Sequence, residues 1–93
     1  MKFHVNIQTR QVVVNETIEG ENEEQIWRQA RKEIEQRSPF LVRSAIKLMG
    51  DRSIWERITE YVNEKNGLQE PVPTNAREFI EMGVRSGYIT RLE

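Results

Sequence analysis

Residues Met49 to Val62 read MGDRSIWERITEYV, a stretch that suits either a DNA-reading motif or a plain helical corner. One apolar-periodic run ends at Gly50 and another begins three residues later, which is the spacing of a helix-turn-helix. In a DNA reader the second helix enters the major groove, where Arg, Lys, Asn and Gln meet base edges and flanking cations meet phosphates. Here the outward positions of that helix are Glu56, Arg57, Glu60, Asn63 and Glu64, and Asp51 stands in the turn. Carboxylates facing a polyanion oppose docking, and Arg52 and Arg57 offset only part of them. The stretch is therefore expected to be a helical corner. Gly50 would be its left-handed cap, and Ser53 with Glu56 a capping box. Ile54, Trp55, Ile58, Tyr61 and Val62 would face inward until Asn66 and Gly67 end the helix.

Upstream, Asn22 followed three residues later by Gln25 is a capping box, with Glu23 and Glu24 in a first turn that favours negative charge. Ile26, Trp27, Ala30 and Ile34 then form one apolar stripe that runs out near Arg37. Ser38 and Pro39 have the chemistry of a cap and a first helical position. The next helix, Pro39 to Met49, carries Leu41, Val42, Ala45, Ile46, Leu48 and Met49 over half its circumference and is expected to be the most buried helix. Phe40, in its first turn and off the main stripe, is expected to pack in the core, with protrusion toward a partner as the alternative.

Further toward the N-terminus, Lys2 to Thr9 alternates, with Phe3, Val5, Ile7 and Thr9 on one side and His4, Asn6 and Gln8 on the other. That is a strand with one dry face. Arg10 and Gln11 would turn the chain into a second strand from Val12 to Ile18, where Val12, Val14 and Ile18 face inward around Glu16, near an edge. Downstream, Leu68 to Thr74 holds two prolines and no period, so it is a loop, with Val72 against the body. Thr74 or Asn75 caps a last helix with Ala76, Phe79, Ile80 and Val84 inward and Gly83 as either a packing point or an early end. Tyr88 to Leu92 is a possible third strand for the hairpin, since a two-stranded ribbon alone is marginal. The expected fold is α+β, a small antiparallel sheet against three to four helices in the order β-β-α-α-α-α-β, with residues 1–93 as one compact domain.

Composition narrows function more by exclusion. Cysteine is absent, which removes disulfides and thiol chemistry, and no apolar run approaches the length of a bilayer crossing. The opening MKFHVNIQTRQ lacks an apolar block with a cleavage site, so a cytoplasmic address is the default expectation. His4 is the only histidine, and no second His, Cys or patterned Asp gives it a catalytic partner. Glu16, Glu19, Glu21, Glu23 and Glu24 match no calcium-loop spacing, and Gly83 and Gly87 form no phosphate-cradling loop. No enzyme, cofactor, metal or small-molecule substrate is expected.

Charge is unevenly spread. Residues 1–25 hold two basic and five acidic side chains, residues 26–57 eight and four, and residues 58–93 four and six. An acidic hairpin end thus precedes a basic middle, a separation that steers a charged partner. The expected function is protein binding, as a regulatory or inhibitory factor, a subunit of a complex, or a homodimer paired through an open sheet edge. Candidate contact residues are Glu19, Glu21, Glu24, Phe40 and Tyr88. The alternative is a nucleic-acid accessory protein that meets phosphates through Arg28, Lys32, Arg43 and Lys47, with Arg31 and Arg37 nearby. The spacings Glu24 to Arg28 and Glu33 to Arg37 suit pairing along one helix instead. Trp27, Trp55, Tyr61 and Phe79 lie on apolar stripes and are expected in the core.

Overall fold

The structure, a computed structural model, describes residues 1–9 and 13–93. Strands β1 (Lys2–Gln8) and β2 (Val13–Glu19) pair antiparallel, with Phe3 opposite Ile18 and Ile7 opposite Val14. Because side chains alternate along a strand, Phe3, Val5, Ile7, Val14 and Ile18 all turn to one face and are buried there. Glu16 interrupts that face and is half-exposed, in an ion pair with Arg37. The turn expected at Arg10 and Gln11 and the inward position expected for Val12 lie outside the described residues.

Four helices follow, α1 (Glu23–Arg37), α2 (Phe40–Leu48), α3 (Asp51–Asn66) and α4 (Ala76–Ser86). The chain then closes with β3 (Ile89–Arg91), antiparallel to β1 with Ile89 opposite Val5, so the sheet order is β2-β1-β3. This is the α+β arrangement expected, in the order β-β-α-α-α-α-β, with β3 as its third strand. Two helix starts use the same chemistry. Asn22 accepts from the Gln25 N–H and Asn75 from the Glu78 N–H, while the side chains of Gln25 and Glu78 each reach back to the backbone N–H just before the cap, at Glu21 and Thr74.

Helices α1 and α4 cover the apolar sheet face with Ile26, Trp27, Ala30 and Ile34 and with Ala76, Phe79, Ile80 and Met82. Trp27 stands at the centre, its ring 4.9 Å from Phe79 in an edge contact and 5.4 Å from Trp55. Such pairs contribute roughly 0.5–1.5 kcal/mol each beyond the area they bury. Gly83 proves to be a packing point, because a Cβ built there would stand 2.5 Å from Ile89 Cγ1. The helix runs on to Ser86 and ends with Gly87 in the left-handed region.

Several expectations fail where one segment meets another. Helix α2 is not the most buried helix; Ile46 is its only buried residue, and Phe40 is exposed rather than core. Gly50 is extended (φ −72°), α3 begins at Asp51 with Gly50 as its N-cap, and neither the left-handed cap nor the Ser53–Glu56 box forms. The end of α2 is closed in another way: the Met49 N–H donates to the Ile46 carbonyl, and Arg31 donates to the carbonyls of Ile46 and Met49, so the chain leaves the helix without a left-handed glycine. Ser38 caps nothing in α2, since its hydroxyl donates back to Ile34 and closes α1, leaving Pro39 as the flanking residue. Val84 is exposed, and Met82 and Gly83 face inward instead because β3 folds back against that side of α4. Tyr61 is half-buried, and the buried position beside it belongs to Thr59, which donates to Met82 Sδ. In the loop, Pro73 is buried and Val72 only half so.

Candidate functional site

The residues singled out for protein contact fall in three places. Glu19, Glu21 and Glu24 are exposed at the junction of β2 and α1, beside Met1, whose amine donates to the Gly20 carbonyl. Tyr88 lies toward the other end of β1, where its carbonyl accepts from Asn6 N–H; its hydroxyl accepts from Asn66, and it is half-buried. Five residues of strand, roughly 17 Å, separate these two positions. Phe40 is beyond the C-terminal end of α1, and a helix of that length spans roughly 22 Å. The three groups do not form one surface.

The basic residues are divided by what they already hold. Arg43 donates to the carbonyls of Glu35, Gln36 and Ser38 and so caps α1, just as Arg31 caps α2. Arg31 also pairs with Asp51 at 2.5 Å and with Glu35 at 3.4 Å, tying α1 to α2 and α3. Arg28 is paired with Glu24 and Arg37 with Glu33 at 3.0 Å. Lys32 and Lys47 are exposed and make no ion pair among the described residues. His4, on the outer sheet face, faces Thr17 Oγ1 at 3.3 Å, its cross-strand neighbour.

An apolar surface emerges that periodicity alone did not single out. Phe40, Leu41 and Leu48 are 76 %, 80 % and 90 % exposed, on a helix of nine residues. Leu41, Ala45 and Leu48 are spaced i, i+4, i+7 and so share a face, whereas Phe40, Ser44 and Lys47 share the next. Beside the first face lies an open groove of about 360 Å³ between α2, α3 and the end of β1. Leu41, Val42, Ala45, Ile46 and Met49 form one bank, and Ile7, Ile54 and Ile58 the other. Arg57 is the one charged residue among those described in its lining, and it is exposed without an ion pair among the described residues. The run of apolar residues in the sequence was the available signal. By pattern alone it implies burial, because a half-apolar helix is ordinarily covered by its own domain.

A second concavity, about 420 Å³, is lined by Met1, Phe3, Ile80 and Val84 with Arg77, Arg85 and Arg91 at its rim. Its arginines are engaged: Arg77 with Glu81, Arg85 with Glu70, and Arg91 over the Phe3 ring. Among the described residues no three His, Asp or Glu side chains gather as a metal site, and no helix is long and apolar enough to cross a membrane. No protein-family model matches the chain, and no curated protein or solved structure matches it significantly.

Proposed function

We propose that the protein is a cytoplasmic, non-enzymatic binding module, a regulatory factor or a subunit of a complex, that holds a partner protein on the outer face of α2. The supporting observation is the exposure of Phe40, Leu41 and Leu48 on one short helix, the two leucines on the face beside the apolar groove and Phe40 on the adjoining one. Burying a leucine removes enough apolar surface from water to contribute roughly 1.5–3 kcal/mol, so three such residues left in solvent are a substantial unused driving force. Single exposed apolar residues are ordinary on protein surfaces; a contiguous set beside an apolar groove marks an interaction site. Its central large side chains suit an interface core, and the half-buried Tyr88 lies outside it.

The test is capture with the tagged protein from lysate of its own organism, after nuclease, compared with the Leu41→Arg/Leu48→Arg variant. Both leucines are solvent-facing, so the variant is expected to keep its circular dichroism spectrum and thermal midpoint. A protein held in defined stoichiometry by the parent chain and released by the variant supports the reading. Retention by the variant, with release on charge reversal of Glu19, Glu21 and Glu24, would move the site to the acidic end. Loss of all material on nuclease treatment would favour nucleic-acid contact through Arg28, Lys32 and Lys47.

A further inference from the structure

Resting on that reading, we infer that the partner segment is an acidic amphipathic helix, laid along α2 with carboxylates flanking its apolar stripe. Helix α2 presents Leu41 and Leu48 two turns apart, roughly 10 Å along the axis, with the small Ala45 between them. That is a ridge with a notch, which accepts a side chain from a helix lying alongside it, and anchors at i, i+4, i+7 are the pattern of helix-in-groove recognition.

The charges set the class of helix. On the groove side the apolar strip is bordered by Arg57, and on the far side Lys47 shares a face with Phe40. Neither has an ion-pair partner among the described residues, and no carboxylate stands among the described residues of the lining. The neighbouring cations, Arg31 and Arg43, are by contrast occupied in the helix junctions. An apolar strip between two free cations is complementary to an apolar stripe between carboxylates. The same charges disfavour a second copy of this chain. FLVRSAIKL, the whole of α2, contains no anion, and Arg43 is turned to α1, so packing α2 on α2 about a twofold axis would bring Lys47 of both copies to one interface with no carboxylate from either α2 to meet it.

The test is a fluorescence anisotropy titration of the full chain against two labelled synthetic helices of about 15 residues, long enough to be partly helical in water. Both carry leucines at i, i+4 and i+7; one has Glu beside that stripe and the other Lys. The Glu peptide is expected to bind about tenfold more tightly at low salt, with the gap narrowing as salt rises. The Arg57→Glu/Lys47→Glu variant is expected to reverse the preference, and Leu48→Arg to abolish binding of both. Equal affinities, a preference unchanged by the double charge reversal, or binding of neither peptide would overturn the acidic-helix assignment. Should light scattering instead show a doubled mass that Leu48→Arg abolishes, the second copy is the occupant and only the docking face survives. Peptide binding that is indifferent to Leu48→Arg would remove the docking face itself.

Discussion

At Gly83 α4 packs directly on Ile89 of β3, and the contact leaves room for a hydrogen but not for a methyl group. Gly83→Ala must displace the buried Ile89 side chain and is expected to destabilise by about 1–3 kcal/mol, read as a lower denaturation midpoint by tryptophan fluorescence. An unchanged midpoint would mean that β3 does not pack as described. Gly50 is the opposite case, with an ordinary φ of −72° and nothing within 4 Å of an added Cβ. Gly50→Ser gives α3 a capping hydroxyl and restrains the unfolded chain, so a gain of about 0.5–1 kcal/mol is expected in the same assay. At Glu78, the Thr74 N–H and then the Thr74 hydroxyl hold the carboxyl below the usual glutamate range. A carboxyl whose pKa falls on folding contributes stability that is present above its unfolded value and lost as pH drops through its folded value. The thermal midpoint of Glu78→Gln should therefore lie furthest below the parent near neutrality and converge with it in acid; a gap independent of pH would contradict this. Asn22, Asn75 and the terminal glycines Gly67 and Gly87 were legible in the sequence because caps are local chemistry. Arg31 was not: its partners lie up to 20 residues away.

Helix α2 is held at its ends more than along its length. Arg31 from α1 closes its C-terminus, Arg43 reaches back to close α1, and only Ile46 is buried from its own body. Losing Arg31 leaves the Met49 carbonyl and Asp51 without its donors, and Ile46 with the Met49 N–H alone, so Arg31→Ala is expected to destabilise by about 2 kcal/mol and to loosen α2 selectively. Hydrogen exchange measures both effects. In the parent chain, α2 amides should exchange ahead of those in α1 and α4, and Arg31→Ala should widen that difference. Uniform protection across the helices would refute this view of α2. The helical period of Pro39 to Met49 was readable, and so was its apolar width. Which part of that width is covered depends on where α1 and α3 leave it after the two junctions, and no local pattern carries that angle.

The central strand ties the molecule together. β1 pairs on one side with β2 and on the other with β3, from the far end of the chain, while α1 and α4 close over the same face around Trp27, Trp55 and Phe79. Removing any one of these layers exposes the others, so unfolding in urea is expected to be a single transition with a slope of about 1 kcal/mol/M. Far-ultraviolet circular dichroism, which reads the helices, and the fluorescence of two core tryptophans should then report one midpoint. Separate midpoints would show that the sheet and helices form independently cooperative units. Both indole N–H groups are buried without a hydrogen-bond partner among the described residues, so the tryptophans anchor the core by area and ring contact.

The elements and their order were legible in the chain alone, because periodicity, caps and breakers act within one or two turns of chain. The inward residues of α1 and, among the described residues, Phe3, Val5, Ile7, Val14 and Ile18 of the hairpin were legible too, because one dry face follows from alternation. That Gly83 meets Ile89, that Arg31 and Arg43 are helix clamps, and that Phe40, Leu41 and Leu48 face solvent follows instead from how segments distant in the chain pack together. Hydrophobicity fixes that a side chain gains by leaving water; whether its own fold or another molecule covers it is settled by how the helices cross.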